Sequence, residues 1–165
     1  MRGIRRRRPM QAMAADHQRG NGQAPIEQTD SPVDPRAAMR RIAAEAVILQ
    51  DQAEAVLRGA RAREGLGFLA PRGGPLVRRF FSLRDLLPRS CQDPADDELR
   101  RQLDAILHHH ALAVWVALDL LAYEWRSEKI GRQLDALDGL GEPAAHLDRL
   151  YAELAERSTA DYAAS

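Results

Sequence analysis

Residues 93–125 (DPADDELRRQLDAILHHHALAVWVALDLLAYEW) constrain the fold more than any other segment, because a helix start here precedes the longest apolar run of the chain. Asp93 and Pro94 suit the N-cap and first position of a helix, and the acidic residues that follow suit its positive end. Projected at about 100° per residue, most of the apolar residues up to Leu121 fall on one broad arc. The segment predicts the central helix of an all-α fold.

A second long helix is predicted after Asp34 and Pro35, which repeat the same start signal. Apolar residues then alternate three and four apart from Met39 to Ala60, a spacing typical of one helix packed along another. Val and Ile are sparse, which disfavours a β fold. We predict an elongated helical bundle with two long helices, about 36–64 and 94–138, a short helix at 76–87 and a C-terminal helix at 143–157.

The connections are predicted from glycine and proline. Residues 65–75 (GLGFLAPRGGP) have the composition of a loop, and Gly139 or Gly141 can take the left-handed cap before the last helix. The last helix is expected to return onto Ile130 and Leu134. A kink at Ser127 is the alternative to a continuous helix over 94–138, because the apolar face changes there.

The domain organisation follows from composition. Residues 1–35 are rich in Arg, Gly, Gln, Pro and Asp with little to bury, which predicts a disordered Arg-rich tail. Residues 36–158 are predicted to form a single helical domain, and residues 159–165 a frayed tail. One cysteine and the lack of a run of about 18 to 20 apolar residues favour a cytoplasmic protein with no membrane span.

The net charge of zero conceals two halves of opposite charge. Residues 1–89 carry 17 Arg against 9 acidic residues, and residues 90–165 carry 7 basic against 15 acidic residues. The two halves attract each other, or the first half meets an acidic partner. Nearly all the basic residues are Arg, a bias of bacterial-like coding composition as much as of binding chemistry.

Nucleic acid is one partner that the basic half would suit. The candidate phosphate contacts are Arg5, Arg6, Arg7, Arg8, Arg36, Arg40 and Arg41. For the first four we favour a solvated tail, because short basic runs are unspecific. A translation start further along would also explain them, because Met10 and Met13 follow.

The three consecutive histidines cannot act as one metal clamp, because adjacent helix positions diverge by about 100°. His108 projects with the charged residues, His109 to one side and His110 into the apolar arc. His109 and His110 are weak metal or haem candidates, and a hydrogen-bonded core histidine is the alternative at His110. Cys91 is assigned no role, because Asp93, Asp96 and Asp97 nearby disfavour its thiolate. No cofactor is predicted.

No nucleophile motif, phosphate loop or carboxylate pair gives an enzyme reaction a starting residue. We therefore predict a non-enzymatic interaction, assembly or adaptor protein that acts through its helix faces, as a homodimer or with a helical partner. The nucleic-acid accessory role is the alternative. Partner-contact candidates are Phe80, Phe81, Trp115 and Trp125, although the two phenylalanines would also fill the end of a core.

Overall fold

The chain is all-α over the residues described by a computed structural model, which are 34–123 and 127–163, with side chains as far as residue 156. The helices in this part are α1 (Pro35–Arg61), α2 (Leu66–Asp85), α3 (Pro94–Ala122), α4 (Glu128–Asp135) and α5 (Glu142–Ala163). The predicted helical bundle is confirmed. Most of the predicted Arg-rich tail, Trp125 and the last two residues lie outside the described residues.

The two long helices begin where the sequence predicts. The Asp34 carboxylate accepts a hydrogen bond from the backbone N–H of Arg36 at 3.0 Å, and the Asp93 carboxylate accepts one from Ala95 at 3.0 Å. Each aspartate satisfies a backbone donor that the first helical turn leaves unpaired. At its other end, α1 stops at Arg61, before the predicted boundary, and Arg63 takes a positive φ of 59°.

Helices α1 and α3 pack side by side and run in the same direction. Arg36 Nε lies 2.6 Å from Asp96 Oδ1 near the start of both helices, and Gln50 Oε1 lies 3.1 Å from His110 Nε2 about halfway along. The alanines of the α1 seam are fully buried, which allows the two helices to approach closely. The predicted packing of Met39–Ala60 against the central helix is confirmed.

Helices α2 and α5 flank this central pair. Helix α2 runs antiparallel to α3, because Arg84 meets Asp104 at one end of the contact and Gly73 lies beside Leu118 at the other. Helix α5 packs against α1 and α3, and α4 contacts the same two helices. Within the part of the chain that the structure describes, α2 and α5 make no contact with each other. Helices α1 and α3 are therefore the two elements that each touch all the other helices.

The predicted loop at 65–75 is wrong, because these residues form the first half of α2. Pro71 and Pro75 are one turn apart and both exposed. The backbone hydrogen bonds that they remove therefore fall on the solvent side, where water can replace them. Gly73, on the opposite side, is buried against Val56 and Leu118. Tertiary packing here overrides the low helix propensity of Gly and Pro.

The predicted continuous helix over 94–138 is also wrong. Helix α3 ends at Ala122, and α4 begins after Ser127, the position that the alternative identified as a kink. In a straight helix Leu134 would project away from the face that Leu121 buries. As part of the separate helix α4, which contacts α1 and α3, Leu134 is fully buried.

The C-terminal helix differs from the prediction in its length and its partners. It spans Glu142–Ala163 instead of residues 143–157. It packs along α1 and α3 and, within the described residues, not against α4. Its buried leucines, Leu147, Leu150 and Leu154, complete the core of that flank.

Candidate interaction surface

The outer face of α3 is apolar along its C-terminal half. Leu112, Trp115, Val116 and Tyr123 are 38, 51, 38 and 59 % exposed. At 100° per residue the helical residues Leu112, Trp115 and Val116 fall within an arc of about 100°, and Tyr123, the C-cap residue of α3, extends this stripe past the end of the helix. Scattered exposed apolar residues are ordinary, whereas large contiguous apolar patches are typical of interaction sites. Trp115, a predicted contact residue, lies in it.

Two polar side chains belong to the same face. His109 is exposed and lies one turn before Leu112, and Asp119 is half-buried between Val116 and Tyr123. Asp119 is the only charged residue of this face between Leu112 and Tyr123. The face therefore combines an apolar centre with a carboxylate that accepts hydrogen bonds and an imidazole whose N–H donates one.

A cavity of about 400 Å³ opens beside His109, where α5 begins against α3. His146 and Glu142 line it from α5, and Gln102 lines it from α3. His146 Nε2 lies 3.2 Å from Gln102 Oε1, so one imidazole is already engaged. In the described part of the chain, no three His, Cys, Asp or Glu side chains are grouped so that they could hold a metal ion. The metal site at His109 or His110 stays a prediction.

His110 is fully buried between α3 and α1 and makes one clear hydrogen bond. Gln50 Nε2 donates to Asp148 Oδ1 at 3.1 Å, which directs Gln50 Oε1 towards the imidazole. Since Oε1 can only accept, His110 Nε2 is the donor. His110 Nδ1 is buried without a hydrogen-bond partner. The ring also meets Phe80 edge-on, with centroids 5.4 Å apart.

This environment keeps His110 neutral. Burial lowers its pKa from 6.5 to about 4, because an apolar surrounding disfavours the charged imidazolium. The backbone at Ile106 and the charge of Asp148 raise the pKa, and His109 lowers it, without offsetting the burial. A neutral, hydrogen-bonded imidazole in a core corresponds to the structural alternative given by the sequence. The signal that sequence reasoning missed is Gln50, a polar residue on the buried side of α1.

His108 belongs to a separate polar cluster between α2 and α3. Arg84 binds both carboxylate oxygens of Asp104, at 2.8 and 3.2 Å, and its Nη1 donates to His108 Nδ1 at 2.8 Å. Phe81 packs edge-on to the His108 ring, with centroids 6.1 Å apart. The three histidines thus occupy three different environments, as the helical projection predicts.

Phe80 and Phe81 were predicted either to contact a partner or to fill the end of the core. In the structure both pack in or against the core. Phe80 is fully buried, and Phe81 is half-buried against the polar cluster. Both are less exposed than Trp115, which is 51 % exposed. Cys91 is half-buried, and its pKa is raised, first by burial and then by the charges of Asp96 and Asp97. The thiolate is therefore disfavoured.

The arginines predicted to contact phosphate fall into two groups, one outside the described residues and one at the start of α1. Arg5–Arg8 lie outside the described residues. Arg36 pairs with Asp93 at 3.0 Å and with Asp96 at 2.6 Å, which fastens the start of α1 to the start of α3. Arg40 is half-buried and Arg41 is exposed nearby. Nucleic acid would have to compete with two carboxylates for Arg36, and this role stays a prediction.

A second cavity, of about 550 Å³, lies between α1 and α2. Its walls are mainly apolar, with Leu49 and Leu69 among them, and Arg72 and Arg79 at its rim. The Arg72 guanidinium stacks on the Phe68 ring at 3.9 Å, and Arg79 forms a two-fold ion pair with Glu45. Both cations are thus held by neighbours on the rim.

Helix α3 is also the one helix, among the residues the structure describes, that is long and apolar enough to cross a membrane by length and composition. The sequence prediction had counted uninterrupted apolar residues, whereas a mean hydropathy of 1.5 over 18 residues tolerates the polar ones. The core helix of a bundle meets the same criterion, and α3 packs against four other helices. The absence of a membrane span stays a prediction.

Comparison of the chain with models of protein families, with curated proteins and with solved structures found no match.

Proposed function

We propose that the protein is a helical interaction or assembly module without catalytic activity, and that its contact surface is the exposed face of α3. The observation that carries the proposal is the stripe of Leu112, Trp115, Val116 and Tyr123, all of which are at least 38 % exposed. Large apolar residues in contiguous exposure favour a partner that removes them from water. Trp and Tyr are moreover enriched at the energetic centres of protein contacts.

Several polar side chains of the described helices support this proposal because they already join one helix to another. Arg84 with Asp104 and His108 joins α2 to α3, and Gln50 joins α3 to α5 through His110 and Asp148. Groups engaged in this way stabilise the bundle. The α3 stripe has no such internal role.

Photo-cross-linking of the full chain in the cells that make it tests the proposal. A benzophenone amino acid replaces Leu112 or Val116 in the stripe, and Asp51, an exposed residue on α1, is the matched control position. We expect discrete cross-linked protein bands from positions 112 and 116 and none from position 51. Equal or absent cross-linking at all three positions would refute an interaction role for this face.

A further inference from the structure

The exposed face of α3 contains a complete heptad seam. Its helical residues, at spacings of four, three, four and three, are Ala105, His109, Leu112, Val116 and Asp119. The C-cap residue Tyr123 follows four positions later, just past the end of the helix. Such a spacing returns to the same side of a helix over many turns and is the pattern by which two helices pack along each other. All six residues are exposed except Asp119, which is half-buried. We call this set the α3 seam.

The α3 seam is complementary to itself when read backwards. Its spacing is symmetrical about position 114, so two antiparallel copies place residue i opposite residue 228 minus i. Leu112 then faces Val116 of the other copy, and the small Ala105 faces the large Tyr123. A two-fold axis requires this kind of reciprocal contact, in which i meets j and j meets i.

The polar residues obey the same symmetry. In the antiparallel register His109 faces Asp119 of the second copy, and this pair occurs twice in a dimer. An imidazole N–H can donate to a carboxylate, and complementary polar groups in matched positions fix the register of a contact and reject the wrong one. A parallel arrangement would place Asp119 against Asp119 and lose this complementarity.

From the proposed contact surface we infer that the partner is a second copy of this chain, bound antiparallel along the α3 seam with two reciprocal His109–Asp119 pairs. This inference rests on the proposed interaction role of the α3 face. It adds the identity of the partner, the orientation of the helices and the residues that set the register. Trp115 lies beside the seam, where it extends the apolar contact on each side.

Charge exchange across the seam tests the register by analytical ultracentrifugation of the full chain. His109→Glu places two carboxylates opposite each other, and Asp119→Arg replaces the acceptor that His109 faces with a guanidinium, which can only donate. We expect each single variant to weaken the dimer by about tenfold or more, because the change acts at both symmetric pairs. The double variant H109E/D119R should recover most of the wild-type affinity. D51R is the control for the same charge change elsewhere.

Disulfide trapping tests the orientation independently, in a Cys91→Ser background. Ala105→Cys and Tyr123→Cys chains are prepared separately and then mixed under oxidation. We expect a cross-link between the two chains only in the mixture, because equal positions in an antiparallel pair lie about 27 Å apart along the helices. A parallel dimer would instead cross-link each variant to itself and would overturn the inference.

The outcomes separate this inference from the proposed function. A monomeric full chain whose position 112 cross-links to a protein of different mass would overturn the self-contact and leave the interaction role standing. A monomeric chain that instead floats with neutral phosphatidylcholine vesicles, and loses this on Trp115→Ser, would overturn it in favour of a lipid contact. Single charge variants that bind like D51R would also overturn it.

Discussion

Gln50 Oε1 lies 3.1 Å from His110 Nε2, and this buried hydrogen bond joins α1 to α3 in the middle of the bundle. The same amide donates to Asp148 at 3.1 Å, so its two ends have fixed roles and the histidine must be the donor. The two hydrogen bonds of Gln50 therefore connect the buried His110 with Asp148, which is exposed. The core thus contains a polar contact in which the donor is His110 Nε2 and the acceptor is Gln50 Oε1.

We expect Gln50→Leu to lower the free energy of unfolding by about 1 to 3 kcal/mol, because it leaves the His110 N–H buried without an acceptor. The double variant Gln50→Leu/His110→Leu removes the donor as well and should recover most of this loss. Urea unfolding followed by circular dichroism measures both. The single variant His110→Leu completes the comparison. If the double variant lost as much stability as Gln50→Leu and His110→Leu together, the pairing would be contradicted.

The stability of the protein should depend on pH through His110. Its pKa is lowered to about 4 in the folded chain, against 6.5 for an ordinary histidine. Below pH 6.5 the unfolded chain binds a proton that the folded chain does not, so folding is favoured fully above pH 6.5 and progressively less down to pH 4. The total effect is on the order of 3 kcal/mol.

Urea unfolding at several pH values between 7.5 and 4.5 measures this dependence. The variant Gln50→Leu/His110→Leu is the control, because it lacks the imidazole and its partner. We expect the free energy of unfolding to fall more steeply with acid in the wild-type chain than in the control. Two parallel curves would show that His110 does not carry the effect.

Gly73 and Gly74 offer a matched pair inside α2. A Cβ at position 73 would lie 2.9 Å from Cδ1 of Leu118 and 3.2 Å from Cγ1 of Val56, whereas at position 74 the nearest contact is Arg78 Nη1 at 3.8 Å. Gly74→Ala should therefore stabilise the helix by about 0.5 to 1 kcal/mol. The free energy of unfolding of Gly73→Ala should be at least about 1 kcal/mol lower than that of Gly74→Ala, because overpacking against Leu118 and Val56 opposes the gain in helix stability.

Thermal unfolding of both variants checks this difference. Adding Leu118→Ala should make Gly73→Ala less costly, because it removes the side chain that the new methyl group meets. The opposite order, with Gly73→Ala the more stable, would mean that α2 does not approach α1 and α3 as closely as the structure has it.

Local signals in the sequence predicted those parts of the fold whose cause is local. Asp34 and Asp93 cap their helices, and Gly139 and Gly141 both adopt the positive φ, 77° and 61°, expected of a left-handed cap. The burial of His110 followed from helical periodicity alone. In each case a few neighbouring residues suffice to determine the outcome.

The parts that the sequence did not predict depend on distant partners. Pro71 and Pro75 suggest a loop until the packing of Gly73 against α1 and α3 is known. The break after Ala122 depends on where Leu134 can be buried. Gln50 is an ordinary polar residue until His110 stands 3.1 Å away. Periodicity shows which face is buried, whereas it does not show which side chain meets which.

The separation of α2 from α5 has a consequence for motion. Because these flanking helices do not touch within the described residues, either can detach from the α1–α3 pair while the other remains bound. Local opening of this kind exposes backbone amides to solvent exchange. Amide protons of α1 and α3, which are both held from the two flanks, should exchange with deuterium last, and those of α2 and α5 should follow two independent time courses.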